Sequence, residues 1–374
     1  MDLKECRSRL DEIDRQIVEL FEQRMQVCKD VAVYKINTGK EVYDGEREQQ
    51  KLLAVEQQVQ SEFNRTAVRE LFSQMMTISR RYQYRLLTEK SGLTKFEFEQ
   101  VESLNTQQVR VVYQGLEGAY GHMAALGFFG QNADVYHVPL FQDAMHAVEQ
   151  GDADYAVLPI ENSSAGAVID NYDLLIRYQN YIVAEIFIPV NHALLARPEA
   201  ALSDIRTVYA HPQSLMQCSG FLNENKWRQI SCENNAVAAK KVKEDNDPSQ
   251  AAVASETAGQ IYDLKVLKPG ISNNLGNTTR FIVLSRKAMY RKDAGKISIS
   301  FELLHKSGSL YNILGNFIFN QVNMMMIESR PIPGRNWEYR FFIDIEGNLD
   351  DAGIKNALRG IAAESRNMRI LGNY

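Results

Sequence analysis

Apolar residues first recur at Leu3, Leu10, Ile13, Ile17, Leu20, Val27 and Val31, the spacing of one face of an α-helix. No proline precedes Pro139, and the first break is Asn37-Thr38-Gly39. The pattern predicts a helix of roughly 35 residues, about 50 Å long, ending at that glycine. A second helix is expected from near Asp44 and a third from near Asn64 to Leu87. Residues 1–88 therefore read as all-α. So long a helix cannot bury its apolar stripe against two shorter ones, and two chains are expected to pair here.

Residues 89–108 are polar and weakly patterned, which predicts a linker. From Val109 the texture changes to short β runs alternating with helices: VRVVY, DYAVLPI, YIVAEIFI, IRTVYA, QAAVAS and RFIVLS. Residues 109–290 are thus expected to form an α/β domain with a mostly parallel sheet and two lobes. From Lys296 to Tyr374 the order is strand, helix, strand, strand, helix, strand, a βαββαβ unit of the ferredoxin-like α+β kind. The fold class is multidomain: all-α, then two-lobed α/β, then ferredoxin-like α+β.

Composition narrows the function classes. A chain of 374 residues is too long for one ordinary core. Apolar residues make up 45% and charged residues 24%, as in globular proteins. A formal net charge of −5 without blocks of like charge argues against nucleic acid or an anionic membrane as partner. The N-terminus lacks the apolar core of a signal peptide, and no apolar run reaches the ~18 residues of a membrane span. Cys6, Cys28, Cys218 and Cys232 form no CxxC or Cys/His cluster, so reduced thiols, no metal, no cofactor and a cytoplasmic location are expected.

Within the first helix, Arg24 and Lys35 lie roughly 20° apart around the axis and can bracket a small dianion. Arg7 faces elsewhere, toward what would be the partner's site in a dimer. Asp44, Arg47 and Glu48 stand at i, i+3, i+4 on the second helix, and Ser79 and Gln83 at i, i+4 on the third. Taken singly, each charge also fits a solvated surface residue. As a set, they resemble the all-helical chorismate mutase family in helix lengths, break positions and ligand positions. The resemblance implies that Arg7 (from the other subunit), Arg24 and Arg47 pair with the two carboxylates of chorismate. It implies that Lys35 and Gln83 donate to its ether oxygen. Asp44 and Glu48 would orient the substrate hydroxyl and neighbouring cations, and Ser79 completes the site.

In the α/β segment, strand VRVVY runs into the glycine turn GLEGAYGHMAA, which opens a helix and presents N–H groups. Alone, such a turn often serves packing, and an isolated ENSS is often a helix cap. The ordered set PIENSSAG, HPQ and TTRF resembles prephenate dehydratase over roughly residues 109–290. The resemblance implies a site between two lobes, with Glu161, Asn162, Gln213 and Thr279 carrying the chemistry. Arg280 and Phe281 fix the register in favour of Thr279 over Thr278. Thr279 ranks as essential and can donate in relay with a carboxyl, for which Glu161 is one candidate if burial raises its pKa, the identity of the acid being left open. Ser163, Ser164 and Arg280 would bind the carboxylates of prephenate. One departure is Gly121, where the family usually carries a hydroxyl residue after the aromatic of the turn.

The C-terminal unit resembles the ACT domain of this enzyme family through GSLY and IESRP. The resemblance implies phenylalanine bound at an interface of two such domains by Gly308, Ser309, Leu310, Glu328, Ser329 and Arg330. Otherwise Glu328-Ser329-Arg330 only pins a strand edge. A homodimer or homotetramer is expected. A rival reading is a non-catalytic amino-acid sensor with a helical dimerisation arm, which predicts decay of the charged helical positions and loss of Thr279. A dehydrogenase partner would need GxGxxG, and GLEGAYG does not meet that spacing.

Overall fold

The computed structural model describes residues 2–90, 96–305 and 308–374. The chain divides into two compact units, residues 1–96 with 295–370 and residues 97–294 with 371–374. The first unit opens with α1 (Leu3–Thr38), α2 (Gly45–Glu56) and α3 (Glu62–Lys90). Asp2 caps α1 by accepting from Glu5 N, and Gly39, at φ 68°, turns the chain out of it. Asp44 caps α2 by accepting from Arg47 N. Both α1 and α2 pack on α3. Yet Ala32 is the buried residue of α1, while Leu10, Ile13, Ile17, Leu20 and Val27 stay at least half exposed in the single chain. Of the expected linker, Ser91–Lys95 lie outside the described residues, and β1 (Glu99–Val101) pairs in parallel with Met289–Arg291.

The second unit continues through β2 (Arg110–Gln114), α4 (Tyr120–Phe129), β3 (Asp134–Val138), α5 (Phe141–Gln150) and β4 (Tyr155–Asn162). Next come β5 (Gly166–Ala167), α6 (Ile169–Arg177) and β6 (Tyr181–Pro189). The chain then crosses into a second lobe of β7 (Ala193–Ala196), β8 (Thr207–Ala210), α7 (Pro212–Gln217), α8 (Ser219–Asn225) and β9 (Arg228–Ser231). That lobe ends with α9 (Asn235–Asp245), β10 (Gln250–Ala254), α10 (Glu256–Ile261) and β11 (Lys265–Lys268). The return is made by β12 (Thr278–Ser285) and β13 (Met289–Arg291).

The first lobe's sheet runs β6-β12-β4-β2-β3 and the second's β11-β7-β10-β8-β9. These sheets are mixed, which corrects the expectation of mostly parallel strands. In the first, β2 is parallel to β3 and β4, but β12 is antiparallel to both neighbours. The reason is the crossing: a strand that returns beside an outgoing one must run against it. Where the chain crosses, Val190 N donates to Asn277 O at 2.8 Å and Ile271 N to His192 O at 3.0 Å. The second sheet is buried on both faces, with Leu194, Val208 and Val253 on one and Leu195, Tyr209 and Ala252 on the other. This explains its unbroken apolar runs.

The first unit resumes with β14 (Lys296–Leu303), α11 (Ser309–Phe319), β15 (Met324–Pro331), β16 (Tyr339–Glu346), α12 (Ala352–Glu364) and β17 (Arg366–Asn373), whose last residues, from Leu371, count with the second unit. The strand order is β15-β16-β14-β17. Ile297, Ile299 and Phe301 of β14 are buried, as are Ile313 and Phe317 of α11 and Ile354, Leu358 and Ile361 of α12. The helical segment and this C-terminal segment, expected as separate domains, cluster as one compact unit. The contact is made by α3, which packs on α12 and α11. Arg359 Nη1 donates to Thr88 Oγ1 at 2.8 Å, and Arg81 Nη2 to Asn312 O at 3.4 Å. Arg81 crosses α11 at Gly315, where a Cβ would run into its Nη2. Among the described residues, no helix is long and apolar enough to cross a membrane.

Candidate active sites

A cleft of about 250 Å³ lies between the lobes of the second unit. It is walled by the glycine turn before α4, the facing ends of β4 and β12, and the N-terminal ends of α7, α9 and α10. Helix N-termini carry partial positive charge and unpaired N–H groups, so this wall suits an anion. Among the described residues lining it there is no Asp, Glu, Lys or Arg. At its floor, Asn162 stands opposite Thr279 across the β4–β12 ladder. Asn162 Oδ1 accepts from Ser164 N and Ala165 N, both at 3.0 Å, which fixes the amide. Its Nδ2 donates to Thr279 Oγ1 at 2.9 Å. The hydroxyl oxygen of Thr279 is thus supplied with a donor, and its own proton is left for a group in the cleft.

Sequence reasoning did not single out the aromatic and imidazole groups here. His192, 1% exposed, sits with Nε2 3.1 Å from Gln217 Oε1 and Nδ1 3.3 Å from the Tyr120 hydroxyl. Tyr120 donates to Asn191 O at 3.0 Å. Burial lowers the pKa of His192 and raises that of Tyr120, so both are neutral around pH 7. His211 caps α7, its Nδ1 accepting from Gln213 N at 3.3 Å, and burial lowers its pKa too. His211 lies within the HPQ already noted. His192 stands alone in sequence, and only the lobe crossing brings it to the cleft.

Of the expected residues, Asn162, Gln213 and Thr279 line the cleft, as does Gly121, whose missing Cβ would stand 3.2 Å from Gln114 O. Thr278 does not. Glu161 and Arg280 require correction. Successive strand residues point to opposite faces, so the neighbours of Asn162 and Thr279 turn away from the cleft. The Glu161 side chain is 43% exposed and 3.6 Å from Arg280 Nη1, without the burial its role as acid presupposed. Arg280 is buried, with Nε donating to Glu185 at 2.7 Å and Nη2 to the Tyr374 hydroxyl at 2.8 Å. It is a lock within the fold rather than a carboxylate clamp in the cleft. Ser163 and Ser164 border a neighbouring polar recess, where Ser163 Oγ accepts from Thr278 N at 2.9 Å.

In the first unit, Arg24 reaches from α1 to α3, its Nη1 donating to Ser79 Oγ at 2.5 Å and Met75 O at 3.3 Å. Lys35 Nζ donates to Val42 O at 2.7 Å. Burial lowers its pKa, against the opposing pull of Asp44 and Glu48. Ser79 and Gln83 are buried on α3, and Gln83 Oε1 has no hydrogen-bond partner among the described residues. Arg24, Lys35, Glu48, Ser79 and Gln83 thus occupy the packed faces of three helices, while Asp44 is exposed at the N-cap of α2. Arg7 and Arg47 are exposed, Arg7 on the opening turns of α1. One arginine escaped notice in the sequence: Arg80, 7% exposed, donates from Nη1 to both oxygens of Glu48 at 2.6 and 2.5 Å.

In the C-terminal segment, Gly308, at φ 79°, opens α11, followed by Ser309 and Leu310. Gly308 and Ser309 border a cavity of about 740 Å³ that Glu48 and Arg80 also line. Glu328, Ser329 and Arg330 lie on β15, outside that lining.

The family model for chorismate mutase type II matches residues 6–84, and that for prephenate dehydratase matches residues 111–289. The chain is 34% identical to the bifunctional chorismate mutase/prephenate dehydratase of Enterobacter agglomerans, over 98% of this chain and 94% of that one. It is 32% identical to the protein of that name from Escherichia coli (strain K12), over 98% and 95%. Among solved structures, a prephenate dehydratase from Arthrobacter aurescens in complex with L-Phe is 31% identical, with a TM-score of 0.65. That match covers 71% of this chain and 89% of the other.

Proposed function

Because this chain belongs to the family of bifunctional chorismate mutase/prephenate dehydratases, we propose that it performs both reactions in succession, each in its own unit. The helical segment converts chorismate to prephenate. That rearrangement needs no nucleophile, only a compact dianionic conformer and stabilisation of charge on the ether oxygen. Arg24 and Arg47, with Arg7 from a second chain, pair with the carboxylates, since guanidinium forks match them bidentately. Lys35 and Gln83 donate to the ether oxygen, while Glu48 and Asp44 hold the hydroxyl side. The exposed stripe of α1 supports a dimer, which would also bring the partner's Arg7 into reach.

The cleft of the second unit converts prephenate to phenylpyruvate. The observation that carries this reading is the Asn162–Thr279 pair in a cleft lined, among the described residues, by no Asp, Glu, Lys or Arg. A cation beside the ring carboxylate would stabilise it against loss of CO₂, and the described residues lining the cleft include no Lys or Arg. Helix N-termini and amides hold the anion instead. As CO₂ leaves, the departing hydroxide takes a proton, and Thr279 is the donor with its oxygen already bonded by Asn162. His192 and His211, neutral by burial and both lining the cleft, are the imidazoles available to resupply it.

Phenylalanine binds the C-terminal ACT segment, whose strand order is that of a ferredoxin-like fold. Glu328-Ser329-Arg330 of one copy and Gly308-Ser309-Leu310 of another form that site, as the resemblance of the two motifs to the ACT domain implies. Purified protein given chorismate alone tests the whole reading. Prephenate should appear first and phenylpyruvate after it, with phenylalanine suppressing the second step. Failure to consume chorismate, or prephenate accumulating without phenylpyruvate, would overturn the corresponding half.

A further inference from the structure

Glu48 does not stand alone at the helical site. Arg80 on α3 donates from Nη1 to both its oxygens, at 2.6 and 2.5 Å. The remaining edges of that guanidinium are also taken. Nη2 donates to Thr77 Oγ1 at 3.1 Å, and Nε to Glu364 Oε1 at 3.1 Å. Its face lies over the Tyr43 ring, 5.2 Å from the centroid. The Arg80 and Glu364 side chains are each 7% exposed, and that of Glu48 is 23%. A guanidinium is a rigid planar fork, so fixing Nε and Nη2 fixes where Nη1 points. Glu364 closes the last turn of α12, in the C-terminal segment.

We propose that Arg80 is a positioning residue for chorismate rearrangement, aiming the Glu48 carboxylate, and that Glu364 of the C-terminal segment holds Arg80 in that aim. This rests on the reading that Glu48 contacts chorismate. A carboxylate has about four acceptor positions. Arg80 occupies one side of Glu48, and the other side remains for the substrate hydroxyl. Without Arg80, Glu48 swings among rotamers and Glu364 is left as a buried charge without its counter-ion. Without Glu364, the fork keeps Glu48 but loses the restraint on its angle. The C-terminal segment is then part of the working mutase as well as its regulatory portion.

The test is mutase kinetics on the full-length protein, with prephenate dehydration measured in the same samples as the control for folding. Arg80→Ala should lower mutase kcat/KM roughly 10- to 100-fold, as misplacement of a contact by about an ångström does. Arg80→Lys should not rescue it, because an ammonium cannot span Glu48 and Glu364 with fixed geometry. Glu364→Ala should give a smaller loss, and Glu364→Gln should restore the rate, since its Oε1 still accepts from Nε. The double variant Arg80→Ala/Glu364→Ala should be no slower than Arg80→Ala, because Glu364 acts through Arg80. Additive losses, or full rescue by lysine, would overturn the proposal. Glu48→Gln separates the two failures. If Glu48→Gln is slow while Arg80→Ala and Arg80→Lys are unimpaired, the positioning role is wrong and the site stands. If Glu48→Gln is itself unimpaired, the underlying site reading is wrong.

Discussion

Thr279 and Arg280 are neighbours with opposite fates, and the pleat of β12 decides between them. Thr279 takes a hydrogen bond from Asn162 at 2.9 Å and faces the cleft, whereas Arg280 is buried against Glu185 and Tyr374. Thr279→Ala should lower phenylpyruvate formation by about 10²–10⁴-fold, the usual worth of a placed proton donor. Thr279→Ser should keep most of it, and chorismate consumption should be untouched in both. Loss of both activities in a folded Thr279→Ala protein would contradict the separation of sites. Lys35 gives a second residue-level outcome. Burial holds its pKa below the ordinary 10.5, so it loses its proton earlier than an exposed lysine as pH rises. Mutase kcat/KM should fall along that alkaline limb, and Lys35→Arg should flatten it. Stability moves the other way: between the folded and unfolded pKa values the unfolded chain holds more protons, so raising pH favours the fold. A parent limb no earlier than 10.5 would remove Lys35 from the site.

The helix α1 illustrates what one element can and cannot reveal. Its start, its stripe and its end at Gly39 were legible because they depend on local spacing and one left-handed glycine. Its apolar face is exposed in the single chain, where the proposed dimer would cover it, and Arg7 lies on the opening turns, 17 positions before Arg24. Mixing Arg7→Ala and Arg24→Ala proteins should therefore recover mutase activity. In each mixed dimer one of the two sites keeps both arginines, so recovery should approach about half of the parent rate per exchanged dimer. Exchange verified by mass, with no recovery, would show that each chain builds its site alone. The helix α3 was harder to read. Arg80 and Arg81 are adjacent and chemically identical in sequence, yet Arg80 is spent on Glu48 and Glu364 while Arg81 crosses Gly315.

For the molecule as a whole, the grouping of segments differs from their order along the chain. The helices and the C-terminal βαββαβ segment are one compact unit, and the α/β segment between them is another. The proposed effector motifs lie at the start of α11 and on β15, in a segment whose described residues are absent from the lining of the cleft proposed for dehydration. Ser309→Ala or Glu328→Ala should weaken phenylalanine inhibition of dehydration while leaving the uninhibited rate near the parent's. The measurement is a phenylalanine titration at fixed prephenate. Unchanged inhibition in both variants would place the effector elsewhere.

The sequence by itself determined the helices, the alternation of strands and helices after Val109, the βαββαβ order, and the motifs holding Asn162, Gln213 and Thr279. Those follow from spacing, glycine and local polarity, which act over a few residues. Tertiary structure alone decided which way neighbouring side chains point and which distant groups meet. It turned Glu161 and Arg280 out of the cleft, brought the lone His192 to it, and made the two sheets mixed, because the chain crosses between lobes and returns on β12. It also joined Glu48 to Glu364 through Arg80. A buried ion network among residues hundreds of positions apart has no periodicity to betray it. It exists only once packing has removed water from around the charges and left them each other.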